Sequence, residues 1–446
     1  MNFPQGAPFA VVRRAPAAAP SPAVTPWVLA AVLVVALWPV PLRAADYIGT
    51  PDSYLERVRQ LKAGDRLRLQ PGRYRGGLAI HGLQGTSEAP IVIEGPATGE
   101  PAVFVARAHA NTVSIRDAAH VAIRHLVLDG RNLPVDAVRV ERRSKWAHDL
   151  AFEDLLIVDH GFDQQTVGIS AQFPSWNWTV RHCVIVGAGT GMYLGSSDGT
   201  QPFVHGVIEH NLVLDSVGYD LQIKHQGPRP ALAGMPSVDG ATVIRGNVFV
   251  KGDRSSSGSM ARPNVLVGHF PPDGPGSEDR YLIEGNVFLG NPSESLFQGE
   301  GNITLRRNLL VNLHGDGIVV QPHHAEPRRI EITRNLIATR GVPMRVSGTD
   351  PRFPARVHDN EVIDPELLHA SAGRDDASRH ANELERAVAR WLAAAATDDD
   401  ATSPALAALE RALRLACGGP PGIAGSAAAP ILHTKAASLC ARAPLQ

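Results

Sequence analysis

The sequence predicts an all-β chain folded as a right-handed parallel β-helix, a single-stranded solenoid with an N-terminal helical cap and a C-terminal helical appendage. Three observations carry this prediction: a short phrase that recurs along the chain, a second β-like run after most copies, and an Asn that closes the later ones. The phrase joins alternating apolar residues, two polar residues and a further apolar run. It appears at Val121–Leu126, Leu150–Leu155, Trp178–Cys183, Val207–Asn211, Val243–Asn247, Leu282–Asn286, Thr304–Asn308, Ile332–Asn335 and Val357–Asn360. Successive copies end 22 to 39 residues apart, mostly in the twenties. That is the length of one solenoid turn built from short strands, whereas a propeller blade needs about 40–45 residues. An antiparallel sandwich needs hairpin signals such as Asn-Gly between neighbouring strands, and the chain offers strands bent singly by Gly, Asp and His instead.

The elements follow in order. Residues 1–45 read as an export signal with a long leading region. Met1 to Pro26 is rich in Ala and Pro and holds Arg13 and Arg14, and an apolar stretch then runs from Trp27 to Val40. That stretch is shorter than the roughly 20 residues a membrane span needs, and Ala44-Ala45 offers a cleavage point. A periplasmic or secreted protein with no stable membrane span after cleavage is expected; an uncleaved anchor is the alternative. Asp52 to Leu61 is an amphipathic helix with Asp52 or Ser53 as N-cap, placed to plug the open end of the solenoid. Lys62 to Tyr74 is a strand closing on a Pro-Gly turn.

The solenoid occupies residues 46–365. Its second runs are Ala137–Val140, Val167–Ser170, Met192–Gly195, Leu221–Lys224, Val265–Gly268, Ile318–Gln321 and Met344–Ser347, each alternating as a half-buried strand does. Strands this short close a core only when stacked in parallel. The Asn residues from Asn211 to Asn360 are expected to point inward at a tight corner and bond their copies in adjacent turns, about 4.8 Å away. Residues 366–417 read as helical, with helices over Ser378–Ala396 and Pro404–Cys417 split by Asp398–Asp400, and residues 418–446 as a poorly ordered tail. Cys183 falls at a core position, while Cys417 and Cys440 are placed to pair in an oxidising compartment. No two cysteines have metal-ligand spacing.

Balanced charge, 43 Lys+Arg against 44 Asp+Glu with a formal net of -1, argues against a nucleic-acid partner. Function in a solenoid gathers where turns carry insertions. The extra residues lie at Gln226–Gly240 and Lys251–Asn264, with a further loop at Phe270–Arg280. If Leu221 and Ile223 face inward, Gln222 and Lys224 face outward. Lys224 is then expected among small neighbours, with Ser170 and Gly195 below it and Gly268 above. Gln172, Gln226 and His323 come two residues further on, and His225, His269, Gln298, Glu300, Gln321 and His324 lie in the same strand-to-loop region. Arg139, Arg142, Arg143 and Lys145 form a basic run, read as a solvated face. Asp273, Glu278 and Asp279 offer oxygen ligands for Ca²⁺ without forming a motif, so no cofactor is evident.

The Lys62 to Tyr74 segment, Lys-x-Gly-Asp-x-Leu-x-Leu-x-Pro-Gly-x-Tyr, is similar to that of the chondroitinase B and alginate lyase family, and the Ile-x-x-Asn-x-Phe turns resemble the pectin-lyase-like superfamily as a whole. The resemblance covers roughly Asp46 to Pro365. It implies a β-helix acting on an acidic polysaccharide, as a lyase or mannuronan C5-epimerase that removes the proton next to a uronate carboxylate. It also implies a Lys on one turn and an Arg on the next, matched in separation by Lys224 and Arg245. The family's acidic calcium ligands ahead of the Lys are not matched by Gly218–Gln222. The expected catalytic group is therefore Lys224, His269, Arg245 and Glu300, with Gln222, His225, Gln298, Gln321, His323 and Tyr193 binding substrate. A hydrolase would want convergent carboxylates, and only Asp220 and Glu300 are available. The alternative to an enzyme is a non-catalytic carbohydrate-binding or cell-envelope solenoid. An enzyme should gather Lys224, His225, His269 and Glu300 tightly, while a binder should display scattered aromatics such as Tyr193, Phe270 and Phe297.

Overall fold

A computed structural model describes residues 44–363, and the expected signal segment, the C-terminal helices, Cys417 and Cys440 lie outside them. The chain winds through three parallel sheets in a fixed cycle. One sheet has 14 strands, 12 of them on its main path, and the others have 11 and 10. Every strand-to-strand pairing is parallel and joins one turn to the next, as at Ile208↔Ile244 and Leu221↔Val265. Crossovers between parallel strands of one sheet run right-handed, which gives the coil its hand. Among the described residues no helix is long and apolar enough to cross a membrane.

Stacking makes the core. One inward column runs Leu67, Ile93, Ile123, Phe152, Val180, Ile208, Ile244, Ile283, Leu305 and Ile332, in register throughout. All ten are at most 1% exposed, and each such side chain contributes about 1.5–3 kcal/mol through burial. No single turn encloses that column, so each turn depends on its neighbours. At the N-terminal end the helix Tyr54–Gln60 covers the coil. Tyr54 packs edge-on against Tyr74 and Phe104, and its hydroxyl donates to the Gly77 carbonyl. Ser53 is the N-cap, but its hydroxyl bonds Thr50 rather than a helix N–H.

The corner after the first sheet explains the recurring phrase. Three chemical columns meet there. The first alternates in charge through Arg68, Glu94, Arg124, Glu153, Arg181, Glu209, Arg245, Glu284 and Arg306. The next position, from His125 through Asp154, His182, His210, Gly246, Gly285, Arg307 and Arg334 to Asp359, holds φ between 53° and 61°. A residue in that left-handed region turns the chain sharply, which is why Gly, Asp and His cluster there. The third is the Asn ladder. Asn286 Nδ2 donates to the Ile244 carbonyl and to Asn308 Oδ1, while its Oδ1 accepts the Asn247 N–H and Asn247 Nδ2, all at 2.9–3.0 Å. The same bonding links Asn211 to Asn247 and runs on through Asn335 to Asn360. Cys183, buried in the core, starts the ladder by donating its N–H to Asn211.

Asn286→Leu is expected to cost about 1–3 kcal/mol, because it strips buried Asn247 and Ile244 groups of their partners. Denaturant unfolding measures this; an unchanged midpoint would mean that the ladder is dispensable. A second ladder was not read from sequence. Asn291 donates from Nδ2 to Asn264 Oδ1, and Asn312 Oδ1 accepts the Asn291 N–H.

Candidate functional site

The site lies on the outer face of the sheet containing Leu221–Ile223, Val265–Val267, Phe297–Gly299 and Ile318–Val320. Inward residues Leu221, Ile223, Val265, Val267, Phe297, Ile318 and Val320 are fully buried, so the alternate positions form a floor. One floor row is Tyr193, Gln222, Leu266, Gln298 and Val319. Ser170 belongs to this row, opposite Tyr193. The expectation that it adjoins Lys224 is thus corrected by one alternation. Continuing the pairing past Ile223 places Gly195 below Lys224 and Gly268 above it. A cleft of about 150 Å³ opens over this floor. Its polar lining comprises Gln222, Lys224, His225, Gln298, Glu300 and Gln321, with Tyr219, His323 and His324 at its edge.

The cleft is lined by the strands and the corners beside them, and the insertions lie outside that lining. Gln226–Gly240 and the loop after Phe270 both leave the sheet at its strand ends, on the same side of the cleft. Lys251–Asn264 sits at the opposite corner of the coil, between the strands Val248–Val250 and Val265–Val267. From there Arg262 reaches back over the Tyr219 ring at 5.8 Å. Neither Tyr219 nor Arg262 was singled out by the sequence, since each depends on how a loop folds back.

Glycine lets two turns meet at the lysine. A Cβ on Gly268 would stand 2.3 Å from the His225 nitrogen and 2.5 Å from its Cα. Gly268→Ala must therefore displace the His225 main chain. It should lower stability by about 1–3 kcal/mol and disturb binding in the cleft; thermal unfolding together with substrate binding checks this, and a silent substitution would contradict the packing.

Among the described residues the Lys224 ammonium bonds no carboxylate, and it lies over the Tyr193 ring, 5.9 Å from the centroid. Burial lowers its proton affinity below the usual lysine value and Arg262 adds to this, while Glu300 opposes it. His225 is pulled down to about 4, by burial first and then by the imidazoles of His324 and His269. It is therefore neutral near pH 7. Its ring lies 4.0 Å from that of His324 and 5.2 Å from that of His269, and His323 stacks on His324 at 4.3 Å. Glu300 is buried and bonds the main-chain N–H and Nδ1 of His324.

Seven of the expected site residues thus meet in the cleft: Gln222, Lys224, His225, Gln298, Glu300, Gln321 and His323. His269 stacks behind His225, with Nδ1 bonded to the Phe270 carbonyl, and Tyr193 flanks the lysine. Arg245 is not part of the site. It sits in the first sheet's charge column and makes 2.8 Å contacts with Glu209. Asp220 is buried apart from Glu300, in the field of Lys251, so the two carboxylates do not converge. Phe270 and Phe297 are interior, and Phe270 stacks on Tyr281. Gln226 is buried and bonds the Phe203 carbonyl. Arg139 pairs with Asp136. Of the loop carboxylates able to offer oxygens to Ca²⁺, Asp279 bonds Arg229 and His205, and Glu278 bonds Arg329, as in an ordinary polar loop.

The coil is a parallel β-helix, three parallel sheets wound turn upon turn. No family model and no curated protein sequence matches the chain. Among solved structures, an alginate lyase from Paenibacillus sp. str. FPU-7 is 16% identical over 72% of this chain and 99% of its own, with a TM-score of 0.43. A rhamnogalacturonan lyase is 10% identical over 72% and 90%, with a TM-score of 0.47. A lacto-N-biosidase from Eubacterium ramulus is 14% identical over 71% and 68%, with a TM-score of 0.42. Likeness at this level leaves the chemistry to the cleft itself.

Proposed function

We propose that the protein is an exported enzyme acting on an acidic polysaccharide, of the lyase or C5-epimerase type. The observation that carries this reading is Lys224: a cation with lowered proton affinity, bonded to no carboxylate among the described residues, on the floor of a cleft whose flanking turns carry glycine. A polymer chain can approach the backbone closely there. Export is supported by the apolar segment ahead of Ala44-Ala45, with the first strand, Asp46–Gly49, directly behind that cleavage point.

In this reading the neutral amine of Lys224 takes the proton from C5 of a uronate residue. In a lyase the released electron pair forms the C4–C5 double bond as the C4–O glycosidic bond breaks, and the departing oxygen takes up a proton. In an epimerase C5 is reprotonated from the opposite face. Gln222 and Gln298, one above the other on the floor with one turn between them, offer amide N–H groups to the carboxylate whose charge must be relieved as C5 gives up its proton. The imidazoles lining the cleft are proton-exchanging groups available to the leaving oxygen. His225 is neutral near pH 7 and so carries no proton on its second nitrogen to give.

A panel of uronate polymers incubated with the protein tests the reading, with ultraviolet absorbance of an unsaturated uronate reporting elimination and the ratio of C5 epimers reporting inversion. Binding of a polymer without either product would favour the non-catalytic solenoid.

A further inference from the structure

We propose that Glu300, His323 and His324 bind one divalent transition-metal ion at the edge of the cleft. One donor atom from each of the three lies within 4.8 Å of the other two. The donor set is one carboxylate and two imidazoles, which suits ions such as Zn²⁺ or Co²⁺; Ca²⁺ prefers an all-oxygen shell. Glu300 is 6% exposed and is aimed by the His324 main-chain N–H, so its carboxylate is fixed before any ligand arrives. His323 and His324 are exposed, so an ion reaches them from solvent, and three protein ligands leave a coordination position for water or a sugar oxygen.

A second observation points the same way. The His225 ring stacks 4.0 Å from His324, and its Nδ1 is buried with no hydrogen-bond partner among the described residues. A buried imidazole nitrogen left unpaired costs about 1–3 kcal/mol, and such groups mark places completed by an absent water or ion. The other cluster of this composition, His120, His148 and Asp149, differs. There Asp149 is bonded to His148 at 2.6 Å and to Asn177, and the His148 ring lies flat on Trp176. Glu300 also faces His324 Nδ1, at a longer 3.3 Å, but among the described residues it bonds no side chain outside its own cluster. An ion at Glu300 would add positive charge beside the row of Lys224, where a uronate carboxylate arrives; that consequence rests on the proposed function, whereas metal binding does not.

The test uses the full-length protein freed of metal by chelation and titrated with Co²⁺ while the visible d–d absorption is followed. One Co²⁺ per chain is expected, displaced by Zn²⁺ and unaffected by excess Ca²⁺. Glu300→Gln and His323→Ala should each weaken binding by more than the roughly 10–100-fold that loss of an outer-sphere partner costs, and His148→Ala should leave the titration unchanged. Absence of d–d bands in the wild-type protein would overturn the site. So would an unaltered titration in a His323→Ala/His324→Ala double variant whose circular dichroism matches wild type. The titration contains no polysaccharide, so lack of turnover on every polymer would sink the enzyme reading and leave the metal site standing, and the reverse holds equally.

Discussion

Lys224→Ala is expected to lower turnover of the acidic polysaccharide by about 10²–10⁴-fold, the range over which a positioned acid or base contributes. The fold should not notice. Among the described residues Lys224 bonds no carboxylate, its ammonium is not part of the core, and truncation at such a position costs about 1 kcal/mol or less. Activity loss with a nearly constant unfolding midpoint is therefore the signature. The pH profile gives an independent check. Burial lowers the lysine's proton affinity from its ordinary value of 10.5. The neutral amine, which is the form able to accept a proton, thus appears at lower pH than for a solvated lysine. Turnover should rise with pH along a limb set below the usual lysine range, and that limb should vanish in the variant. An activity that falls as pH rises through this region would assign the lysine a cationic role instead.

The second large effect is on stability. Asp279→Ala is expected to destabilise the protein by about 3–5 kcal/mol, the cost of leaving one member of a buried ion pair alone. The side chains of Arg229 and Asp279 are 3% and 2% exposed and bonded directly. Asp279 also accepts the Gly240 N–H at 2.7 Å and faces His205 Nε2 at 3.1 Å, while Arg229 donates to the Pro236 carbonyl. This knot ties the insertion after Gln226 to the loop after Phe270. Replacing both charges, as in Asp279→Leu with Arg229→Met, should recover much of the loss, since a buried pair replaced by apolar groups is often neutral. Urea unfolding of the two single variants and the double variant measures the coupling; purely additive losses would contradict it.

The same knot makes stability acid-sensitive. Burial raises the Asp279 carboxyl, but His205, the Gly240 N–H and Arg229 outweigh it and hold the group below its ordinary value. A carboxyl depressed by folding contributes fully above the unfolded value of about 3.9 and loses that contribution as pH falls below it. Asp279→Asn should flatten that part of the acid unfolding curve.

Much of the fold was legible because a solenoid is periodic along one direction. The recurring phrases from Leu126 to Asn360 fall in the register the sheets adopt, since each needs a left-handed corner residue and those from Asn211 on add an inward Asn. The same periodicity located Lys224 between Gly195 and Gly268 and gathered Gln298, Glu300 and His323 above it. Sequence separation misled where it was used in place of register. Lys224 and Arg245 lie within one turn, on two different sheets, so the separation of a lyase-type pair does not bring them together. Ser170 was assigned to the lysine's row although strand alternation puts it with Tyr193. Phe270 and Phe297 have the hydrophobicity of a binding platform or of a core, and packing against Tyr281 and the inner column decides for the core. Tyr219 and Arg262 carry no local pattern, because a loop folding back across the coil brings them together.

The account turns on whether Lys224 removes a C5 proton, and deuterium exchange reads that step directly. Uronate polymers are incubated with wild-type protein and with Lys224→Ala in heavy water, and nuclear magnetic resonance follows loss of the C5 proton signal. The account predicts loss of that signal on at least one polymer with the wild-type protein, by elimination or by deuterium uptake, and its retention with the variant. A C5 signal that persists on every polymer, or is lost equally fast with the variant, would contradict it.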